Sequence, residues 1–585
     1  MFVPKTLSSV CFAAIAAAAS YDYIVVGGGT SGLVVANRLS EDSGSSVLIV
    51  ERGDTQLNNS AVYDPNSYGV AFGSSIDYAY QSVPQQYTGG NTQTLRAGKA
   101  LGGTSTINGM AYTRAQDVQI DAWGNMGNKG WSWSSLLPYY LKSEGFQVPT
   151  PAQYDAGANF VTSFNGESGP LLVGWTYNMQ NSSIHTDLNE TYAALGIDYI
   201  PDVNGGKMHG YSMFPRTVDR AKNIREDAAR AYYYPFEARP NLSVMLNTTG
   251  NRIVWAPARS TGAAVATGVE VTNSDGTIET ITALKEVILS AGSLISPAIL
   301  ERSGVGNPDI LSKHNISVVV NLPTVGENLQ DQTNTEFIYT SVTSYSGAGT
   351  YLGHPTVSDI FGSNTTNVAN DVQSNLPNYA AKVSQANNGV MSESNLLTLF
   401  KMQYDIIFNN PTPIAEVLVT PKGTNFYSEY WGLLPFSRGN VHIASTDPTQ
   451  QPTINPNYMM LEFDMQQQIS SAKFLRSIYK TASMSRSTTS ESTPGYTTVP
   501  ANATDEQWAA WINKASRSNF HPVGTAAMMP QDMGGVVDPN LVVYGTANVR
   551  VIDASVVPFQ VCGHLTSTLY AVAERASDLI KGDKL

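Results

Sequence analysis

The chain has 585 residues, of which 42% are hydrophobic and only 14% charged, and its formal net charge is −13 at pH 7. That length exceeds what a single hydrophobic core supports and implies at least two domains. An acidic chain without basic runs or aromatic–basic interleaving excludes a nucleic-acid-binding protein.

Residues 1–19 hold one lysine, an apolar run and then small residues, the pattern of a secretory signal peptide. The run is too short to span a membrane, and cleavage is expected after Ala19. No other segment approaches the ~18 apolar residues of a membrane span, so no membrane association is expected. The two cysteines are Cys11, inside the leader, and Cys562, so the mature chain can form no internal disulfide. Eight Asn-x-Ser/Thr sequons stand at Asn58, Asn181, Asn189, Asn241, Asn247, Asn315, Asn364 and Asn502. With the leader they predict a secreted, extracellular protein carrying N-glycans.

Tyr21 to Val26 (Y-D-Y-I-V-V) is an apolar, β-branched run expected to form a buried strand. It leads into G-G-G-T-S-G, with Gly27, Gly29 and Gly32 at G-x-G-x-x-G spacing, then an apolar helical pattern and a second strand, V-L-I-V, ending at Glu51. Gly27 makes the tight turn, Gly29 admits a pyrophosphate to the backbone, and Gly32 lets helix and strand pack closely. The helix N-terminus favours the phosphate, and Glu51 can accept hydrogen bonds from ribose hydroxyls. The motif is a dinucleotide site.

A nicotinamide-binding domain would continue with alternating strands and helices, whereas this chain enters Tyr-, Gln- and Ser-rich sequence at residue 63. A second glycine-rich passage follows, R-A-G-K-A-L-G-G-T-S-T-I-N-G-M-A-Y (96–112), suited to a second wall along a long cofactor. The run E-V-I-L-S-A-G (286–292) reads as a further strand, followed by a helix with Pro297 in its first turn and Gly304 past its end. Two Ser/Thr/Gly-rich stretches, 340–351 and 484–500, read as surface loops. E-Q-W-A-A-W-I-N-K (506–514) fits an amphipathic helix packed on a core. Near the end come R-S-N-F-H-P-V-G-T (517–525) and V-C-G-H-L-T-S (561–567), and residues 567–581 read as a helix starting just after His564.

The opening glycine motif, G-K-A-L-G-G-T-S-T-I-N-G (98–109), G-S-L-I-S-P-A-I-L-E-R-S-G-V-G (292–306), V-G-E-N-L-Q-D (325–331), R-V-I-D-A-S-V-V-P (550–558) and the two histidine motifs together resemble the glucose–methanol–choline (GMC) oxidoreductases. Within that family the chain is most similar to the fungal secreted FAD-dependent glucose dehydrogenases. The resemblance runs from about residue 21 to the end. It implies an α/β (overall α+β) architecture: a discontinuous Rossmann-like FAD-binding domain (20–62, 96–150, 230–330 and 540–585) and a substrate-binding domain (63–95, 151–229 and 331–539) with a large antiparallel sheet covered by helices. It implies non-covalent FAD lined by Gly27, Gly29, Thr30, Ser31, Gly32, Glu51, Tyr78, Gly103, Thr104, Asn108, Gly109, Met110, Ala111, Asp553 and Leu565. Family members often carry His after the Q-D of the V-G-E-N-L-Q-D motif, where this chain has Gln332.

Oxidising an alcohol with a flavin requires a base for the hydroxyl proton, and histidine suits that task near neutral pH. His521 is the candidate base, stiffened by Pro522, and His564 is expected beside it on the same hydroxyl. The other five, His185, His209, His314, His354 and His442, are expected to be satisfied core residues. A zinc site is the rival use of two histidines, but no Cys, Asp or Glu stands at ligand spacing, so no metal is expected. Arg517 and Asn519 can donate to several hydroxyls, Glu429 beside Trp431 can accept from one, and Tyr68 resembles an aromatic covering a pyranose ring. The substrate implied is D-glucose or a similar aldopyranose. The segment P-F-Q-V-C-G-H resembles the dehydrogenases, which implies a quinone or dye as electron acceptor, with an oxygen-using oxidase as the alternative.

Overall fold

The computed structural model describes residues 19–180, 183–257 and 262–582. Residues 1–18, read above as part of a signal peptide and including Cys11, and the sequon at Asn181 lie outside the described residues. The expected first strand is β1 (Ser20–Val26); it turns through the glycines into α1 (Thr30–Leu39) and returns as β2 (Val47–Val50), parallel to β1. Ile24, Val25, Leu48 and Ile49 are completely buried, and each such side chain contributes about 1.5–3 kcal/mol by leaving water. The glycines are steric necessities. Gly27 has φ +107°, and a Cβ on Gly32 would sit 2.0 Å from the Gly27 carbonyl oxygen.

Around this unit stands a seven-stranded sheet in the order Leu242–Met245, β2, β1, Ile278–Leu289, Ala266–Thr272, Thr249–Trp255, with Val549–Val551 also paired to Ile278–Leu289. The strands from Leu242–Met245 to Ile278–Leu289, together with Val549–Val551, run parallel; the other two are antiparallel. Gly27, Glu51, Ser290 and Ile552 follow the carboxyl ends of their strands, the edge at which open α/β sheets bind ligands.

A second, antiparallel sheet has the order Thr488–Thr493, Thr333–Tyr345, Ala415–Gly432, Tyr351–His354, Gly210–Met213, and Arg517–Ser518 also pairs with Thr333–Tyr345. Both stretches expected to be surface loops contribute strands to it. Thr340–Tyr345 continues a long strand, and Thr488–Thr493 forms the sheet edge. Threonine and serine are at home on a half-exposed pleated surface, so polarity alone misread them.

The expected helices are present as Asp505–Ala515, with Trp508 buried, and Leu565–Lys581. The last helix packs on α1 and is tied to it by Arg38, which reaches Glu574 and lies 2.8 Å from Asp578. No helix among the described residues is long and apolar enough to cross a membrane.

Candidate active site

Between the two sheets lies a cavity of about 1220 Å³, larger than the ~300–1,000 Å³ of an ordinary small-ligand pocket. At one end it is lined by Gly27, Gly29, Thr30, Ser31 and Glu51, and at the other by Tyr68, Glu429, Asn519, His521 and His564. Tyr78, Gly103, Thr104, Asn108, Gly109, Met110, Ala111, Asp553 and Leu565 line it as well. Two expected residues do not. Gly32 serves the helix–strand contact alone, and Arg517 stands outside the lining.

The dinucleotide end fits FAD. Gly29 caps α1 without any side-chain hydrogen bond, leaving the first-turn amides free for a phosphate, and the buried Ser31 Oγ has no partner. The two glycine passages meet backbone to backbone: a Cβ on Gly103 would lie 2.6 Å from the Gly29 Cα. Glu51 is anchored by the amides of Gly28 (2.8 Å) and Gly53 (2.7 Å). Burial nevertheless pushes its carboxyl up to about 7. Asp553 accepts from the amides of Gly292 and Ser555 (2.9 and 2.8 Å), bracing the cavity wall. Asn108 joins the second glycine passage to the last helix, accepting from Arg225 (2.8 Å) and donating to Thr566 (3.3 Å). Sequence reading missed Arg216, which pairs by its backbone with Ala111 and lines the cavity with its Nε buried and unpartnered. Burial lowers it to about 10, so it stays charged near neutral pH and offers donors to a molecule bound in the cavity.

At the other end the rings of His521 and His564 stand 5.6 Å apart at 85°. The His521 backbone N–H donates to buried Asp331 (2.9 Å), which also accepts from Ser518 (2.5 Å). Between them Phe520 has φ +63°, a left-handed conformation costly for an aromatic residue and held here by those bonds. His521 Nδ1 lies 2.7 Å from Gln332 Oε1. The Gln332 amide is oriented by donating to the carbonyls of Leu433 and Val561 (3.1 and 3.4 Å). The imidazole proton therefore sits on Nδ1, and Nε2 carries the lone pair. Burial, then the charge of His564, lowers His521 to about 3, so it is neutral at ordinary pH.

His564 caps the last helix, its N–H donating to Thr113 Oγ1 (2.8 Å). Its Nε2 lies 2.9 Å from Oε1 of Glu416, a fully buried carboxylate. Sequence reading missed Glu416, although an acid inside the apolar run P-I-A-E-V-L-V was a signal in itself. His354 is buried in the core as expected, its Nε2 bonding the other Glu416 oxygen at 3.3 Å, but its Nδ1 has no partner. His314 and His209 are corrected, the first being half-buried at a helix end and the second partly exposed against Asp359. His442 is bracketed by Glu301 and Glu327 (2.7 and 3.1 Å).

The expected sugar contacts differ in kind. Glu429 lines the cavity but is ion-paired with Arg517, so the two act as one unit. Asn519 sits beside His521 (3.2 Å to Nδ1) and accepts from Asn334 (2.8 Å). Tyr68 is half-exposed, packed on Phe72, with its ring 3.8 Å from where a Gly109 Cβ would lie. Among the sequons, Asn58, Asn247, Asn315, Asn364 and Asn502 are exposed, and Asn189 is half-buried in a helix. Asn241 is the poor acceptor, its amide spent on the carbonyls of Ser40, Asp42 and Ser45 (2.8–3.0 Å).

Comparison with known proteins agrees with this geometry. Models of the GMC oxidoreductases match residues 21–334 and 435–573. The chain is 44% identical over 565 residues to the glucose oxidase-like protein fsoC of Humicola fuscoatra, covering 96% of each. It is 34% identical to a glucose oxidase of Aspergillus carbonarius, covering 96% of this chain and 92% of that one. An FAD-dependent oxidoreductase from Chaetomium thermophilum superposes with a TM-score of 0.88 at 29% identity, over 96% of this chain and 99% of the other.

Proposed function

Because this chain belongs to the GMC oxidoreductases, FAD-binding enzymes that act on CH–OH groups, we propose that it is a secreted glucose dehydrogenase. It oxidises D-glucose at C1 to glucono-1,5-lactone and passes the electrons to a quinone-type acceptor. The observation that carries the reading is the polar set Glu429, Asn519, His521 and His564 lining the same cavity, with Arg517 holding Glu429. Such a set matches a substrate with several hydroxyls, where a simple alcohol would leave most of its remaining hydrogen-bonding capacity unused.

FAD, when bound, supplies the hydride acceptor at its N5. His521 takes the C1 hydroxyl proton on its free Nε2, since Gln332 holds the proton of the other nitrogen. Burial makes the resulting imidazolium costly, and the Glu416 carboxylate offsets part of that cost. His564, its ring 5.6 Å from that of His521, contacts the sugar beside this hydroxyl and helps to place it. The N-terminus of the last helix, starting at Leu565, favours negative charge at the cavity wall.

The oxygen-using alternative has its own support, namely the glucose oxidases among the relatives. One anaerobic experiment with a panel of sugars tests the main reading: glucose should bleach the flavin faster than other aldoses, and a flavin left oxidised by every sugar overturns it. Peroxide formed in step with glucose loss in air selects the oxidase.

A further inference from the structure

The strand Tyr351–His354 runs antiparallel to Ala415–Gly432 with Gly353 opposite Val417, which sets His354 across from Glu416. Both side chains are completely buried. Glu416 makes two hydrogen bonds, one per oxygen: Oε2 to His354 Nε2 at 3.3 Å and Oε1 to His564 Nε2 at 2.9 Å. His354 Nδ1 is buried and has no partner. An imidazole protonated at both nitrogens would aim a charged N–H at nothing, so His354 donates from Nε2 as a neutral ring. His564 is under no such constraint, because it lines the cavity.

We propose that His354 is a positioning residue for the reaction, a neutral donor that occupies half of Glu416 and so sets how strongly this carboxylate draws a second proton onto His564. The inference rests on the reading that His564 holds the sugar hydroxyl. With Glu416 shared, its pull on His564 is moderate. With Glu416 unshared, its whole charge falls on one ring, and an imidazolium at His564 opposes proton uptake by His521 only 5.6 Å away. The surroundings supply no substitute for His354. Cys562 is a buried thiol that burial pushes far up and so stays neutral, and its Sγ is bonded to the Pro413 carbonyl. On the helix Val357–Phe361 that follows the strand Tyr351–His354, Asp359 faces His209 at 2.9 Å. His521 faces His564 from the far side and is neutral. Burial pushes Glu416 up, yet its contacts with His564 and His354 outweigh it and hold the carboxyl below the usual range.

The test compares the pH dependence of anaerobic flavin bleaching by glucose in FAD-loaded native enzyme, His354→Leu and His354→Gln. In the leucine variant the acid limb should move to higher pH by about one unit, a roughly tenfold loss of rate on that limb. Glutamine restores an N–H donor without a titrating ring and should return the limb to within a few tenths of a unit. A leucine profile superimposed on the native one, or a glutamine profile displaced like that of leucine, overturns the proposal. Should neither variant load FAD, 15N spectra of histidine-labelled native holoenzyme decide: His354 must show the neutral Nε2–H tautomer, and a doubly protonated ring overturns the assignment. If glucose fails to bleach the native flavin, the glucose reading falls by itself, and the same profiles taken with whichever alcohol does bleach it still decide the role of His354.

Discussion

His521 Nδ1 lies 2.7 Å from Gln332 Oε1, and Gln332 is in turn held by two main-chain carbonyls. The candidate base thus has its tautomer set by a neutral amide whose own orientation is fixed. Gln332→Leu should keep the yellow cofactor and lower the anaerobic bleaching rate by about 100-fold, the low end of what a positioned base contributes. Rapid-mixing absorbance of the flavin checks it, and an unchanged rate would show that the tautomer is set elsewhere.

His521 also dictates a pH response. Its folded-state value of about 3 lies below the ~6.5 of an unfolded histidine. The stability it contributes is therefore complete above about pH 6.5 and lost as pH falls toward 3. Glu416, also depressed, adds in the same sense below about pH 4.3, where an unfolded glutamate begins to bind protons. The melting temperature should accordingly fall steadily from pH 6.5 to 4, with a visibly shallower slope in His521→Asn. Identical slopes would mean that the ring is not buried in its neutral form.

Glu416 separates charge from shape. Glu416→Leu leaves the buried His354 and the cavity-lining His564 without their acceptor and should destabilise by about 1–3 kcal/mol, the cost of a buried donor left unpaired. Glu416→Gln keeps the volume and one acceptor oxygen, so it should melt closer to the native enzyme while still losing most of the bleaching rate. Thermal melts read beside stopped-flow traces distinguish the two effects.

Glu429 and Arg517 are partly exposed and paired, so a change there should touch substrate affinity more than the chemical step. Glu429→Gln is expected to raise KM for glucose about tenfold, equivalent to ~1.4 kcal/mol, with the saturated bleaching rate changed less than about threefold. A fall in the saturated rate with constant KM would place Glu429 in the chemistry instead.

The cofactor half was legible in the sequence because its parts are local. The strand, the glycines of the first turn, α1 and Glu51 lie within some thirty consecutive residues, and each glycine carries its own steric reason. The two late histidines were legible through their unusual settings. Gln332, Glu416, His354 and Arg216 were not, since their importance comes from partners 148 to 189 residues away for Glu416 and Gln332 and from strand register for His354 and Arg216. Thr340–Tyr345 and Thr488–Thr493 were misread for a related reason: composition reports solubility, whereas the ladder they join is set by a distant strand.

The sheet that receives the flavin is not finished until Val549–Val551 takes its place, and the helix that closes the cavity begins only at Leu565. During synthesis the glycine turn leaves the ribosome early, but more than five hundred further residues must be made before the opposite wall exists. Flavin capture should therefore wait until the segment from Val549 to the last helix has been made. A chain cut before Val549 lacks both this strand and the last helix and should be colourless, so a yellow colour would report that this late segment has been made and has docked.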